Sequence, residues 1–250
     1  MTTSPSTAPV TPRLAATLIL LRDDPLRVLM VKRHPQAFFP SALVFPGGAV
    51  DVSDHGDDWL EHLSGHEVLE PRQRALRIAA CRETWEEAGL LVSTAPQRPL
   101  DPSAPGFRQV LAGAGARIDL SALVPFGHWI TPPQVPKRFD THFFLSRAPA
   151  DGEAICDGAE IVATEWVEPA ELIQRAAAGD QSVMFSTLMN IHRIAASATV
   201  AEALSAARDT RVVTVMPSRS DGPSGTLISI PPGSGYPVTE ACFDRIPRIS

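Results

Sequence analysis

The run Arg82-Glu83-Thr84-Trp85-Glu86-Glu87-Ala88-Gly89 constrains this chain more than any other. Small or apolar residues recur at helical spacing through Leu76, Ala79, Ala80, Thr84 and Ala88, with Pro71 suited to a helix start and Gly89 to its end. A helix over 71–88 sets Glu83, Glu86 and Glu87 at i, i+3 and i+4, on one face. Neighbouring carboxylates repel by roughly a few tenths of a kcal/mol per pair in water. A hard divalent cation with oxygen ligands turns that repulsion into attraction. Arg82, one turn before Glu86, can brace it by a charge-assisted hydrogen bond. Standing alone, such a pattern is more often a solvated acidic face, so its surroundings have to decide.

Those surroundings read as a mixed α/β domain. LAATLILL (14–21) is a strand buried on both faces and ended by RDDP, and VLMVKRH (28–34) returns beside it as a hairpin. ALVF (42–45) is a short strand breaking into a turn at Pro46, Gly47 and Gly48. Residues 52–70 are polar and irregular, with His55, His62 and His66 among acidic residues. After the glutamate helix, LLV (90–92) reads as a strand, 95–106 as a Pro- and Gly-rich connection, and 107–114 as a short helix. LVPFGHWIT (123–131), RFDTHFFLSR (138–147) and EIVATEWV (160–167) are strands. PAELIQRAAAG (169–179) is a helix that begins at a proline and ends at a glycine. An Ala-rich helical region over about 182–207 and a hairpin around SRSDGPSG complete the chain. Residues 1–12, MTTSPSTAPVTP, carry too little apolar content to order and are expected to be a disordered tail.

Composition removes several classes of function. With 28 Asp+Glu against 22 Lys+Arg, the formal charge of −6 argues against general binding to nucleic acid or anionic membrane. A basic, aromatic-studded stripe is also missing. An anionic substrate would therefore need a bound cation and a few placed basic residues. Cys81, Cys156 and Cys242 are odd in number, far apart and in no C-x-x-C pair, a pattern for a reducing compartment without a disulfide framework or zinc site. No apolar run has the length of a membrane span. LAATLILL follows Arg13 but runs into Arg22, Asp23 and Asp24 without a small-residue cleavage site, so it is expected to be a buried strand rather than a signal core, and the expected location is cytoplasmic.

Taken with Gly48 of FPGG, the run at 82–90 resembles the signature of the Nudix hydrolase family, G-x5-E-x7-R-E-U-x-E-E-x-G-U, where U is a bulky apolar residue. Arg82 to Leu90 supply the downstream half, with Thr84 at an apolar position. The signature places its arginine 14 positions after its glycine; here 82 − 48 = 34, so 34 − 14 = 20 extra residues interrupt the box. The first glutamate's slot falls on Asp54 counting forward from Gly48, or on Arg74 counting back from Arg82. An interrupted box is similar to that of the branch containing the mammalian peroxisomal coenzyme A diphosphatase and its bacterial relatives. VFPGGAVDVSDHGDDWL, CRETWEEAGLL, WITP…RFDTHFFL and Trp166 carry that likeness over roughly 14–170. The coenzyme A motif found upstream of the box in other Nudix diphosphatases is not recognisable here.

The resemblance implies an α/β/α sandwich with a mixed β-sheet, an insertion inside the box and a C-terminal helical plus β-hairpin extension. Its expected limits are 13–180 for the hydrolase domain, about 52–72 for the insertion, and 181–250 for an extension packed on the same domain. It implies Mg²⁺ or Mn²⁺ held by Glu83, Glu86 and Glu87, with a backbone carbonyl near Gly48, and Arg82 orienting the cluster. Glu83 and Glu87 would be direct ligands, and Glu86 direct or through water. The catalytic set would be Glu86, Glu87, Arg82 and Glu160, with Glu86 or the remote Glu160 as base and Glu165 a weaker candidate. Arg33 (beside Lys32) and Arg138 (beside Lys137) could meet substrate phosphate, although an Arg138–Asp140 structural pair fits equally well. For His55, His62 and His66 a solvated insertion is the commoner reading than metal ligation. Trp129 and Phe107 belong more often to a core than to a base-stacking platform. The implied substrate is a nucleoside-diphosphate-linked small molecule, with coenzyme A or acyl-CoA favoured over ADP-ribose, NADH or a nucleotide sugar. A reading of another class is a non-catalytic nucleotide sensor, against which the intact glutamates argue. The assembly would be a monomer or homodimer.

Overall fold

A strand that is apolar at nearly every position needs cover on both faces, and β1 (Arg13–Arg22) has it. Its alternate residues enter two cores: Ala16, Leu18 and Leu20 one, Ile19 and Leu21 the other. The computed structural model describes residues 10–36, 41–93, 106–150, 153–156, 158, 160–222 and 225–242. After β1 come β2 (Arg27–Arg33), β3 (Leu43–Val44), β4 (Gly47–Ala49), β5 (Leu63–Ser64), α1 (Pro71–Ala88), α2 (Phe107–Ala114) and β6 (Ile118–Asp119). Then follow β7 (Val124–Ile130), β8 (Phe139–Arg147), β9 (Ile161–Val167), α3 (Pro169–Ala178), α4 (Phe185–Ile194) and α5 (Val200–Asp209). The last strands are β10 (Thr214–Val215), β11 (Ser218–Gly222), β12 (Gly225–Ser229) and β13 (Glu240–Cys242).

The main sheet is mixed, in the order β10-β7-β8-β1-β2-β3, with β4 added on β1 and β9 on β2. On one side β1 pairs in parallel with β8. Its other edge is divided. β4 runs antiparallel along its first half (Ala15 opposite Ala49, Thr17 opposite Gly47), and β2 pairs with its end (Leu21 opposite Val28). Two strands that share one edge must diverge, so β2, β3 and β9 splay away from β4. Helices α1 and α2 cover one face, whereas α3, α4, α5 and residues around Ile230 and Tyr236 cover the other. The result is the expected α/β class: a mixed sheet between two helical layers.

The hairpin β1–β2, the helix over 71–88 and the strands β7, β8 and β9 lie where the sequence places them. Other expectations change. LLV (90–92) is buried but forms no strand; Ser93 alone makes an isolated bridge, to Ile118. Gly47-Gly48 is a strand rather than a turn. A Cβ at Gly47 would lie 2.6 Å from the carbonyl oxygen of Ala16, so glycine here permits close backbone approach. The Ala-rich region divides because Thr199 caps a new helix, its hydroxyl accepting from the Glu202 N–H at 3.2 Å. The segment before the terminal hairpin contributes β10 to the main sheet. Of the tail 1–12, residues 1–9 lie outside the described residues, as does most of the 95–106 connection.

A buried chain of hydrogen bonds fastens the C-terminal segment to the sheet. Trp129 Nε1 donates to the Tyr236 hydroxyl at 2.7 Å, which donates to Asn190 Oδ1 at 3.1 Å. Replacing Tyr236 with Phe strands the Trp129 N–H. The expected loss is about 1–3 kcal/mol in urea denaturation, within one cooperative transition; an unchanged midpoint would mean the contact is not formed in solution.

Candidate metal and catalytic site

Gly89 adopts the left-handed conformation (φ 67°) and caps α1, its N–H bonding the Trp85 carbonyl at 2.8 Å. The three glutamates therefore occupy the last two turns. Trp85 turns into the core, stacked on Phe107 with ring centroids 5.5 Å apart. Thr84 is tolerated in an apolar position because its hydroxyl bonds back to the Ala80 carbonyl at 2.7 Å.

Arg82 is the centre of the site. Its Nε and Nη2 grip Asp54 at 2.8 and 2.9 Å, Nη1 donates to Glu83 at 2.8 Å and to Glu86 at 2.9 Å, and Nη2 also reaches the Ala49 carbonyl at 3.1 Å. Burial opposes the charge on Arg82, but the Asp54 hydrogen bonds and the charges of Glu83, Asp54 and Glu86 outweigh it and hold its pKa above the usual value. Asp54 is fully buried and also accepts the Asp51 N–H at 2.8 Å. Asp54 thus answers the question the sequence left open: of the two counts, the forward one from Gly48 reaches the acid that binds the arginine. The interruption lies after it, and Arg74 instead ties that segment down through Asp57 and the Leu69 carbonyl, both at 3.2 Å.

Glu87 is buried and accepts the Gly47 N–H at 2.9 Å. Burial pushes its carboxyl up to about 8; the Gly47 hydrogen bond and Arg33 oppose this, while Glu83 and Glu160 add to it. Glu83 is also raised, by burial first, with Arg82 opposing and Glu86 and Asp54 adding. Glu86 is raised by burial, Arg82 again opposing, with Asp54 and Asp51 adding. The Glu83 carboxylate lies against Gly48 so closely that a Cβ there would sit 2.5 Å from either oxygen. These glutamates do not yet converge on one point: Glu83 and Glu86 turn to Arg82, and Glu87 to Gly47.

Arg33 and Glu160 meet at 2.7 Å, and both bear on the charge of Glu87. The Arg33 Nε is buried without a hydrogen-bond partner. The structure thus brings Gly48, Arg82, Glu83, Glu86, Glu87, Arg33 and Glu160 into one neighbourhood. Arg138 is engaged elsewhere, donating to the carbonyls of Thr131 at 3.0 Å and Val10 at 2.6 Å. Asp140 pairs with Arg72 and His128 rather than Arg138. Glu165 is bound by Arg175 at 2.6 Å. Trp129 and Phe107 are both core residues. His55, His62 and His66 form no metal-ready group; among the described residues, the group that does is His128, Asp140 and His142.

A NUDIX domain model matches residues 11–187. Among solved structures, a NUDIX hydrolase from Alicyclobacillus acidocaldarius superposes with a TM-score of 0.71 at 31% identity, covering 79% of this chain and 97% of the other. The chain is 33% identical over 182 residues to "Putative nudix hydrolase 7" of Caenorhabditis elegans, covering 67% of this chain and 55% of that protein. It is 29% identical over 203 residues to the human acyl-coenzyme A diphosphatase NUDT19, covering 58% of this chain and 54% of that protein. The chain therefore spans about half the length of these two animal relatives.

Two measurements probe the cluster. Asp54→Asn weakens the bidentate grip on a buried guanidinium, and the expected cost is about 3–5 kcal/mol in denaturant unfolding, the range for breaking one side of a buried ion pair. Without metal, the folded carboxyl of Glu87 (about 8) stands above its usual 4.5, so the folded state holds the extra proton between those values. Stability should accordingly fall as pH rises from about 4.5 to about 8. The slope should shrink in Glu87→Gln; an equal slope in both proteins would contradict the assignment.

Proposed function

The chain belongs to the NUDIX domain family, and on that premise we propose that it is a divalent-metal-dependent hydrolase of the diphosphate bond in a nucleoside-diphosphate-linked metabolite, coenzyme A or acyl-CoA favoured. The observation that carries this reading is the imbalance of charge around Arg82. One guanidinium is shared by Asp54, Glu83 and Glu86, while Glu87 lies buried beside them and, among the described residues, accepts a hydrogen bond from the Gly47 backbone N–H alone. Such an all-oxygen, carboxylate-rich set suits Mg²⁺ or Mn²⁺. Glu83, Glu86 and Glu87 would hold the ion, together with the backbone carbonyl near Gly48, where the absent Cβ leaves room for the Glu83 carboxylate. A divalent ion held there would supply charge neutralisation for the diphosphate and would lower the pKa of a bound water.

The residues of the chain do the rest. Arg82 fixes Glu83 and Glu86 in place and ties them to Asp54 and the Ala49 carbonyl. Glu160 is exposed and hydrogen-bonded to Arg33, so it is suited to take a proton from the attacking water. Glu86, the other candidate base, is held by Arg82. We assign the contact with a substrate phosphate to Arg33, which stands beside Glu160 and Glu87, in preference to Arg138, whose donors hold backbone carbonyls.

Coenzyme A derivatives are favoured because the chain is similar to an acyl-coenzyme A diphosphatase and because its interrupted box, 20 residues longer than the signature, resembles that branch. ADP-ribose, NADH or a nucleotide sugar is the alternative within the same chemistry. A non-catalytic sensor would have no use for so crowded a carboxylate cluster. The net charge of −6 speaks against nucleic acid and anionic membrane as partners. No described helix is long and apolar enough to cross a membrane. The cysteine pattern favours the cytoplasm, with the protein acting as a monomer or homodimer.

The test is product analysis with Mg²⁺ or Mn²⁺ against coenzyme A, acyl-CoA, ADP-ribose, NADH and nucleotide sugars. The expected products are 3′,5′-ADP and the phosphopantetheine moiety, with Glu87→Gln slower by about 10²-fold or more. AMP from ADP-ribose or NADH would move the substrate to the alternative. No turnover of any compound, with Glu87→Gln binding them as well as the wild type does, would make the protein a sensor.

A further inference from the structure

A second group of metal-type ligands lies on the sheet face beneath α1. In the β7–β8 pairing His128 stands opposite His142, and Asp140 is two residues before His142. Side chains alternate along a strand and match across a pair, so all three project from the same face. The group is separate from the glutamates. His142 neighbours Ala16, which in turn pairs with Gly48, so His142 is two strands from Gly48. At about 4.8 Å per strand that is about 10 Å. His128 is one strand farther out.

The three ligand atoms lie within 4.8 Å of one another. His128 Nε2 is 2.5 Å and His142 Nε2 3.7 Å from the same Asp140 oxygen. One proton can bridge His128 to Asp140, but it leaves His142 Nε2 as it stands: buried, with no hydrogen-bond partner. An unsatisfied buried nitrogen is costly, and a metal ion would satisfy all three groups at once. The outer contacts also have the form that metal sites use. The other nitrogen of His128, Nδ1, is 2.8 Å from the Thr214 hydroxyl on β10, which can accept its N–H and leave the Nε2 lone pair facing the carboxylate. The second oxygen of Asp140 is held by Arg72 of α1 at 3.3 Å.

We propose that His128, Asp140 and His142 form a second metal site for a transition-metal ion of the zinc type, independent of the glutamate cluster and of the activity assigned to it. Two imidazoles and one carboxylate form a set that suits Zn²⁺ better than Mg²⁺, and three protein ligands leave a fourth position for water. The side chains are 17–21% exposed, so the group lies near the surface although His142 Nε2 itself is buried. The two rings are stacked, with centroids 4.1 Å apart and planes 17° from parallel. One ion cannot lie in both planes, so binding turns the His142 ring, whose Nε2 is not held by any hydrogen bond. The bound ion would clamp β7 to β8, with Thr214 and Arg72 extending the clamp to β10 and α1.

The experiment is calorimetric titration of Zn²⁺ alone into the full chain carrying Glu83→Gln and Glu87→Gln, which weakens the glutamate cluster as a competing site. One equivalent is expected to bind. Adding His142→Phe, which keeps an aromatic ring stacked on His128, should weaken that equivalent by at least about 10–100-fold. Thr214→Val, which leaves all three ligands in place, should weaken it by about 10-fold and covers the case in which the His142 variant fails to fold. No zinc uptake by the double-Gln protein, or equal affinity with His142→Phe or Thr214→Val in folded protein, overturns the proposal.

Discussion

The contact between the Arg82 guanidinium and Asp54 organises the functional half of this molecule. Two parallel hydrogen bonds of 2.8 and 2.9 Å join the last turns of α1 to the loop that leaves β4. A buried guanidinium is stable only among acceptors, and the remaining N–H groups find Glu83, Glu86 and the Ala49 carbonyl. The same cation therefore does two things. It fastens helix to loop, and it holds two carboxylates that would otherwise repel. Asp54 supplies the buried counter-charge, and Arg82 Nη1 holds Glu83 and Glu86 side by side on one face of α1.

The divided edge of β1 supplies the other half of the geometry. Because β4 takes the start of that edge and β2 its end, the Gly47-Gly48 segment runs beneath α1 while Arg33, at the end of β2, comes in from the diverging side. Gly47 gives its N–H to Glu87, Gly48 leaves space for the Glu83 carboxylate, and Arg33 brings Glu160 near Glu87. The candidate metal ligands and the candidate phosphate ligand thus come from separate elements brought together by one splayed sheet.

Much of this was legible in the sequence where local signals agree. The helix over 71–88 has a proline at its start, a glycine at its end and helical spacing between, and it is found with those limits. The doubly apolar β1 has two covered faces. What was not legible depended on pairing across long distances. LLV has strand composition but meets β6 only through the Ser93–Ile118 bridge and the Asp119 N–H to Val92 carbonyl bond among the described residues, and Gly47-Gly48 has turn composition but lies against β1. Asp54 was one of two slots because an insertion defeats counting, and only burial beside Arg82 distinguishes it from Arg74. Arg138 has the residue type of a phosphate ligand, but its guanidinium is spent on backbone carbonyls. The His128–Asp140–His142 group is created by the β7–β8 register, which the spacing of the residues along the chain does not reveal.

The central claim is that the crowded glutamates of α1 bind a divalent ion. The most direct measurement is an electron paramagnetic resonance titration of Mn²⁺, without added zinc, into the wild-type chain and into Glu83→Gln/Glu87→Gln. The account predicts that the wild type sequesters Mn²⁺ and that the double variant leaves the free-ion signal undiminished. Equal sequestration by both proteins would contradict it.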